Sequence, residues 1–125
     1  MNPLEDLLNE LSKESDTRRR AELCQRALSL VARHENPLLW AELQVELGNG
    51  LSQDPSGERA DNIERALEHY GAALTVYTRE AFPADWARAQ TNLGLAYSDR
   101  ICGERADNLE RAIAHYQEAL TVYTP

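Results

Sequence analysis

Gly57-Glu58-Arg59-Ala60-Asp61-Asn62 returns letter for letter as Gly103-Glu104-Arg105-Ala106-Asp107-Asn108, 46 residues further along. Both flanks keep the same step. Trp40-Ala41 returns as Trp86-Ala87, Leu47-Gly48 as Leu93-Gly94, and Ala73-Leu74-Thr75-Val76-Tyr77-Thr78 as Ala119-Leu120-Thr121-Val122-Tyr123-Thr124. Setting 37–79 against 83–125 leaves 24 of 43 positions identical. A repeat of this kind decides the architecture, because one unit hides its apolar face only against a neighbour. The chain therefore divides into a worn first unit (1–36) and two full ones (37–82 and 83–125). The worn unit keeps Cys24, Ala27-Leu28 and Pro37 at the positions the step predicts from Tyr70, Ala73-Leu74 and Pro83.

Within each unit the apolar spacing is helical. Leu4, Leu7, Leu8 and Leu11 form one stripe, which predicts a helix over 3–13 opened by Pro3. A second helix is expected over about 16–34, capped by Asp16, with Leu23, Cys24, Ala27, Leu30 and Val31 buried. Arg18-Arg19-Arg20 opens it, where the helix dipole disfavours positive charge. Two readings stand for that cluster: a solvated face paired with nearby acids, or a site for a small anion or acidic peptide.

Pro37 and Pro83 open the first helices of the full units, expected over 37–53 and 83–100, with Trp40, Leu43, Leu47 and Leu51 facing one way. Gly48 and Gly94 sit mid-helix, where Gly costs about 1 kcal/mol against Ala, so a neighbouring helix is expected to come close there. Asp54-Pro55-Ser56-Gly57 reads as a turn. The second helices are expected over about 61–80 and 107–124. Asp61 with Glu64, and Asp107 with Glu110, have capping-box spacing. Ile63, Ala66, Leu67, Tyr70, Ala73, Leu74 and Tyr77 make the apolar stripe. No segment alternates with period two, so the class is all-α.

The net charge of −8 disfavours nucleic acid and anionic membrane surfaces, both of which call for clustered Lys and Arg. No apolar run approaches the ~20 residues of a membrane span, and Met1-Asn2-Pro3-Leu4-Glu5-Asp6 does not read as a signal peptide. Cys24 and Cys102 have neither disulfide-framework nor zinc spacing, so two reduced thiols in a cytoplasmic protein are expected.

At Leu93-Gly94-Leu95-Ala96-Tyr97, and again at Ala112, Tyr116 and Ala119, the chain resembles the tetratricopeptide repeat family. The earlier unit matches at Leu47-Gly48, Ala66, Tyr70 and Ala73, with Leu51 in the place of Tyr97. The resemblance covers about residues 37–125, with a weaker echo over 16–36. The family's usual unit has about 34 residues, and the longer step here, with its Gly-Glu-Arg-Ala-Asp-Asn loop, resembles the long-unit repeats of multidomain bacterial regulatory proteins. Trp40 and Trp86 depart from the pattern, standing one turn before the usual aromatic, whose place holds Gln44 and Gln90.

The resemblance implies a right-handed α-solenoid of antiparallel helix hairpins, TPR-like. Its first helices would line a concave groove for an extended peptide or a partner's helix. The positions it assigns to the groove are Glu42, Val45, Asn49, Ser52 and Gln53, then Arg88, Thr91, Asn92, Leu95, Ser98 and Asp99. Asn49 and Asn92 fall where some relatives clamp a C-terminal carboxylate, but Val45 replaces the clamp's first Lys, so that specificity is not implied.

No catalytic, metal or cofactor site is expected. His69 and His115 are repeat-equivalent, which favours a packing or surface role, and no metal-binding or nucleophile motif occurs. The repeated loop has two readings: turn and cap chemistry with Arg paired to a carboxylate, or a binding loop contacting ligand through Arg59 and Arg105. The last helix keeps Ile113, Tyr116, Leu120 and Tyr123, so an apolar end is expected to self-associate or to continue in a longer array. A non-catalytic protein-interaction module is thus the leading expectation. A structural segment assembling end to end is the alternative.

Overall fold

A computed structural model describes residues 2–54 and 58–123. The turn expected at Pro55-Ser56-Gly57 and the chain's last two residues lie outside them. The described residues form six helices and no strand: α1 (Pro3–Lys13), α2 (Thr17–Leu28), α3 (Pro37–Gln53), α4 (Arg59–Ala73), α5 (Pro83–Asp99) and α6 (Arg105–Tyr123). Each packs against the next in sequence, and α3 also touches α5.

The helix starts follow local chemistry. The Asn2 side chain accepts from the Leu4 and Glu5 amides ahead of α1, Asp16 accepts from Arg18 N ahead of α2, and Asn36 accepts from Leu39 N ahead of α3. Each carboxylate or amide oxygen thus satisfies N–H groups that a helix leaves open. At α4 and α6 the expectation fails. α4 begins at Arg59, not Asp61, and Glu58 holds the cap position without a side-chain bond. Asp61 lies inside the first turn, where it still complements the dipole. Glu64 is drawn away to Arg100, so no capping box forms. α6 likewise begins at Arg105, with Asp107 in its first turn.

The ends of α2 and α4 also differ from expectation. α2 stops at Leu28 rather than His34, and α4 at Ala73 rather than residue 80. The Ser29 hydroxyl donates to Arg26 O at 2.6 Å, and Thr75 to Ala72 O at 2.7 Å. The Leu30 and Val76 amides then bond three residues back. The hydroxyl alone does not stop a helix, since Thr121 donates to Glu118 O within uninterrupted α6. α2 and α4 each feed a helix that opens at a proline and packs back, so residues 29–36 and 74–82 are spent on the reversal. Leu30, expected inside, is consequently exposed.

One apolar cluster runs through the stack. Leu7 and Leu11 of α1 meet Leu23, Cys24 and Ala27 of α2. It continues through Leu43, Leu47 and Leu51 of α3 to Tyr70 and Ala73 of α4, and reaches Leu93 and Ala96 of α5. Helices α3 and α4 run antiparallel, as Arg59 reaches Ser52 while His69 reaches Gln44. Their crossing is at Gly48, where a Cβ would lie 2.6 Å from Tyr70 Cε1. Gly94 has the same relation to Tyr116, again at 2.6 Å. Close approach at these two positions therefore explains a glycine that helix propensity alone opposes.

The two tryptophans also share one environment. The Arg33 guanidinium lies 5.9 Å from the Trp40 ring centroid, and Arg79 lies 5.9 Å from that of Trp86. Arg33 Nε donates to Thr75 Oγ1 at 3.1 Å and Arg79 Nε to Thr121 Oγ1 at 3.2 Å. Each arginine thus clasps the start of one hairpin to the end of its second helix.

Candidate partner-binding cleft

Between α3, α4 and α5 lies an open cleft of about 520 Å³. Asn49, Ser52 and Gln53 line it from α3, Arg59 and Tyr70 from α4, and Asn92, Leu95, Ala96 and Asp99 from α5. At its floor the buried Tyr70 hydroxyl donates to Asn49 Oδ1 at 2.7 Å and lies 3.3 Å from Ser52 Oγ. Burial pushes the Tyr70 phenol above its ordinary pKa, the Ser52 contact opposes that in part, and Glu46 adds to it. With Oδ1 occupied by the phenol, the Asn49 NH2 remains as a donor for a ligand carbonyl. At one edge Arg59 donates to the Ser52 carbonyl and lies 3.7 Å from Asp99 Oδ2. That ion pair is solvated and contributes little by itself.

Six of the groove positions implied by the resemblance come together here: Asn49, Ser52, Gln53, Asn92, Leu95 and Asp99. Five do not line the cleft. Val45 is 4% exposed and packs in the core, so it cannot face a ligand; an apolar side chain there is drawn inward. Its repeat mate Thr91 is half-buried and donates to Ala87 O at 3.0 Å. Arg88 pairs with Asp85 at 3.2 Å, and Ser98 donates to Leu95 O. Glu42 instead borders a smaller hollow of about 250 Å³ with Leu8, Leu39 and the Arg20–Glu46 ion pair.

Three cleft residues, Arg59, Tyr70 and Ala96, are not among the groove positions the resemblance implies. Arg59 appeared only as a loop contact, although it follows Ser52 by seven residues and so returns to it. Tyr70 reads from the sequence as part of an apolar stripe and as a match to the resembled family; the structure sets its ring against Gly48, which carries its hydroxyl past the crossing. The basic run at the start of α2 pairs with acids: Arg19 with Glu10 and Glu22, Arg20 with Glu46.

A second surface lies at the last helix. Ile113, Leu120 and Tyr123 are more than half exposed. Tyr116, expected with them, is half-buried because its ring packs on Gly94. Between α4 and α5–α6, Arg100 forms a forked bond to Glu64, 2.7 Å from Nε and 3.2 Å from Nη2, and holds that carboxyl below its ordinary pKa. Arg100 Nη1 also donates to Asn108 Oδ1, and Asn108 Nδ2 to Cys102 O. Gly103, in the same loop, has φ +83°, a left-handed value that suits glycine.

His69 Nδ1 lies 2.6 Å from Gln44 Oε1, and His115 Nδ1 2.6 Å from Gln90 Oε1. Burial holds both imidazoles below the ordinary value, so each is neutral and donates to its glutamine. Gln44 and Gln90 thereby receive polar partners where the resembled family places an aromatic. Among the described residues no group of three His, Cys, Asp or Glu is placed to hold a metal ion, and no helix is long and apolar enough to cross a membrane. Compared with family models, curated proteins and solved structures, the chain matches none.

Proposed function

We propose that this chain is a non-catalytic protein-interaction module: a right-handed, tetratricopeptide-type stack of helix hairpins whose cleft takes an extended peptide or a partner helix. One observation carries the reading. Asn49 and Asn92, on two successive first helices, border a single cleft together with the apolar Leu95. Amide side chains satisfy both the donors and the acceptors of a peptide backbone, and a half-exposed leucine gives an apolar side chain a seat. The Arg59–Asp99 pair at the rim offers both signs of charge to a ligand.

Panning a displayed peptide library on the intact chain tests this reading. Peptides that bind the wild type and lose binding to Asn49→Arg and Asn92→Arg are expected, with the mass in light scattering unchanged. Peptides bound equally by both variants would refute the cleft. The second reading, an assembly segment, draws on the open apolar face of α6 and is tested through that face.

A further inference from the structure

The hollow bordered by Glu42 and the main cleft lie along one stripe of α3. Leu39, Glu42, Leu43, Glu46, Asn49 and Gln53 keep the spacing of one helix side. Between the two sites sits a third hollow of about 150 Å³. It shares Arg20 and Glu46 with the hollow of about 250 Å³, and Asn49 and Gln53 with the cleft. The three therefore form one trough. From Leu39 to Gln53 it spans about 21 Å at ~1.5 Å per residue, the reach of about six residues of extended chain at ~3.3 Å each.

The two ends differ in chemistry. The cleft end carries the amides of Asn49, Gln53 and Asn92. The far end has buried Leu11 and Leu43 with half-buried Leu8 and Leu39. Glu46 there is held by Arg20 at 2.8 Å, whereas Glu42 is exposed and forms no ion pair among the described residues.

Resting on the peptide-binding reading of the cleft, we propose that its ligand is an extended peptide that continues along this trough, seats an aliphatic side chain among the four leucines, and sets a lysine or arginine two residues away against Glu42. Extension follows from the amides of Asn49 and Gln53, because an extended backbone leaves N–H and C=O groups open for them and a helix closes its own. The two-residue spacing follows from the alternation of side chains along an extended chain, which puts both on one side. The positive charge complements Glu42. The chain's own cations are not free to lie there. Its one lysine, Lys13, is on α1, and its arginines sit in helices, in the clasps at Trp40 and Trp86, or in the fork onto Glu64.

The probes are displayed pools of eight-residue peptides panned on the intact chain. Three pools fix a leucine and, two positions on, lysine, glutamine or glutamate; a fourth has glycine in place of the leucine and keeps the lysine. The leucine–lysine pool should be enriched roughly fivefold over its glutamine counterpart, the factor of one rim ion pair, and further over the glutamate pool. Glu42→Lys, at an exposed position, should reverse the order of the lysine and glutamate pools. Ser12→Trp, which fills the apolar hollow from an exposed position of α1, should bring the leucine and glycine pools level. Pools that need Asn49 and Asn92 yet ignore both of these variants leave the cleft standing and overturn the second seat. A charge preference that survives Asn49→Arg makes the hollow a separate site and overturns the shared trough, as does binding of the selected peptides as helices in circular dichroism. No enrichment of any pool, where an unbiased library does bind, overturns the inference alone; failure of both overturns it with the reading beneath it.

Discussion

Replacing Gly48 by Ala sets two opposing effects against each other at the α3–α4 crossing. Helix propensity favours the change by about 1 kcal/mol. The new methyl, however, would stand 2.6 Å from Tyr70 Cε1 and 2.9 Å from Cδ1. Tyr70 is almost wholly buried, and its hydroxyl is held by Asn49 and Ser52, so the ring cannot swing aside. Overpacking of this kind costs about 1–3 kcal/mol, and a fixed ring puts it at the upper end. The net loss expected for Gly48→Ala is therefore about 2 kcal/mol, several degrees of Tm. Gly94 meets Tyr116 at the same distance, but that ring is half-buried with no hydroxyl bond among the described residues, so it yields and the loss falls below about 1 kcal/mol. Gly71 in α4 has nothing within 4 Å of its Cβ position, and Gly71→Ala should stabilise by about 0.5–1 kcal/mol. Urea denaturation of the three variants gives the order directly. In a Tyr70→Leu background the Gly48→Ala loss should shrink, which a double-mutant cycle reads as coupling. Gly48→Ala stabilising as much as Gly71→Ala would refute the argument from close approach.

Burial holds His69 and His115 below the ordinary imidazole value of 6.5, so the unfolded chain takes up protons first as the pH falls. Stability is full above that value and is lost as the pH drops through it toward the folded values. The double variant His69→Gln/His115→Gln should flatten the urea midpoint between about pH 7 and pH 5. The thiols should separate under alkylation: exposed Cys102 reacts in the native chain, whereas Cys24, buried with its pKa pushed up to about 11, reacts only on unfolding, as mass spectrometry of the two peptides will report. Asn108→Leu removes the partner of both Arg100 and the Cys102 carbonyl, and a loss of about 1–3 kcal/mol in thermal or urea unfolding is expected.

What the sequence carried was whatever depends on spacing. The helix class, the starts at Pro3, Pro37 and Pro83, and the need for Gly48 and Gly94 followed from periodicity and the constant step. What it hid was whatever depends on a distant partner. Asp61 and Glu64 had the spacing of a cap, but an arginine 36 residues away took Glu64. The apolar period ran on past Leu28 and Ala73 because Val31 and Tyr77 are still buried, although the backbone there has already turned. In the cleft, the polar positions on the first helices were legible from the resemblance. Val45 was misplaced because a family position says nothing of which neighbour covers it, and Tyr70 because a stripe of apolar residues conceals where one hydroxyl ends.

Arg20 ties the loop between α1 and α2 through the Leu11 and Glu14 carbonyls and reaches across to Glu46 on α3. Three segments are riveted by one guanidinium at that end, and Arg100 does the same at the other, joining Glu64 of α4 and Asn108 of α6 to the end of α5. A strap buckled at both ends does not peel, so heat should release the six helices in one step rather than fray them from Tyr123.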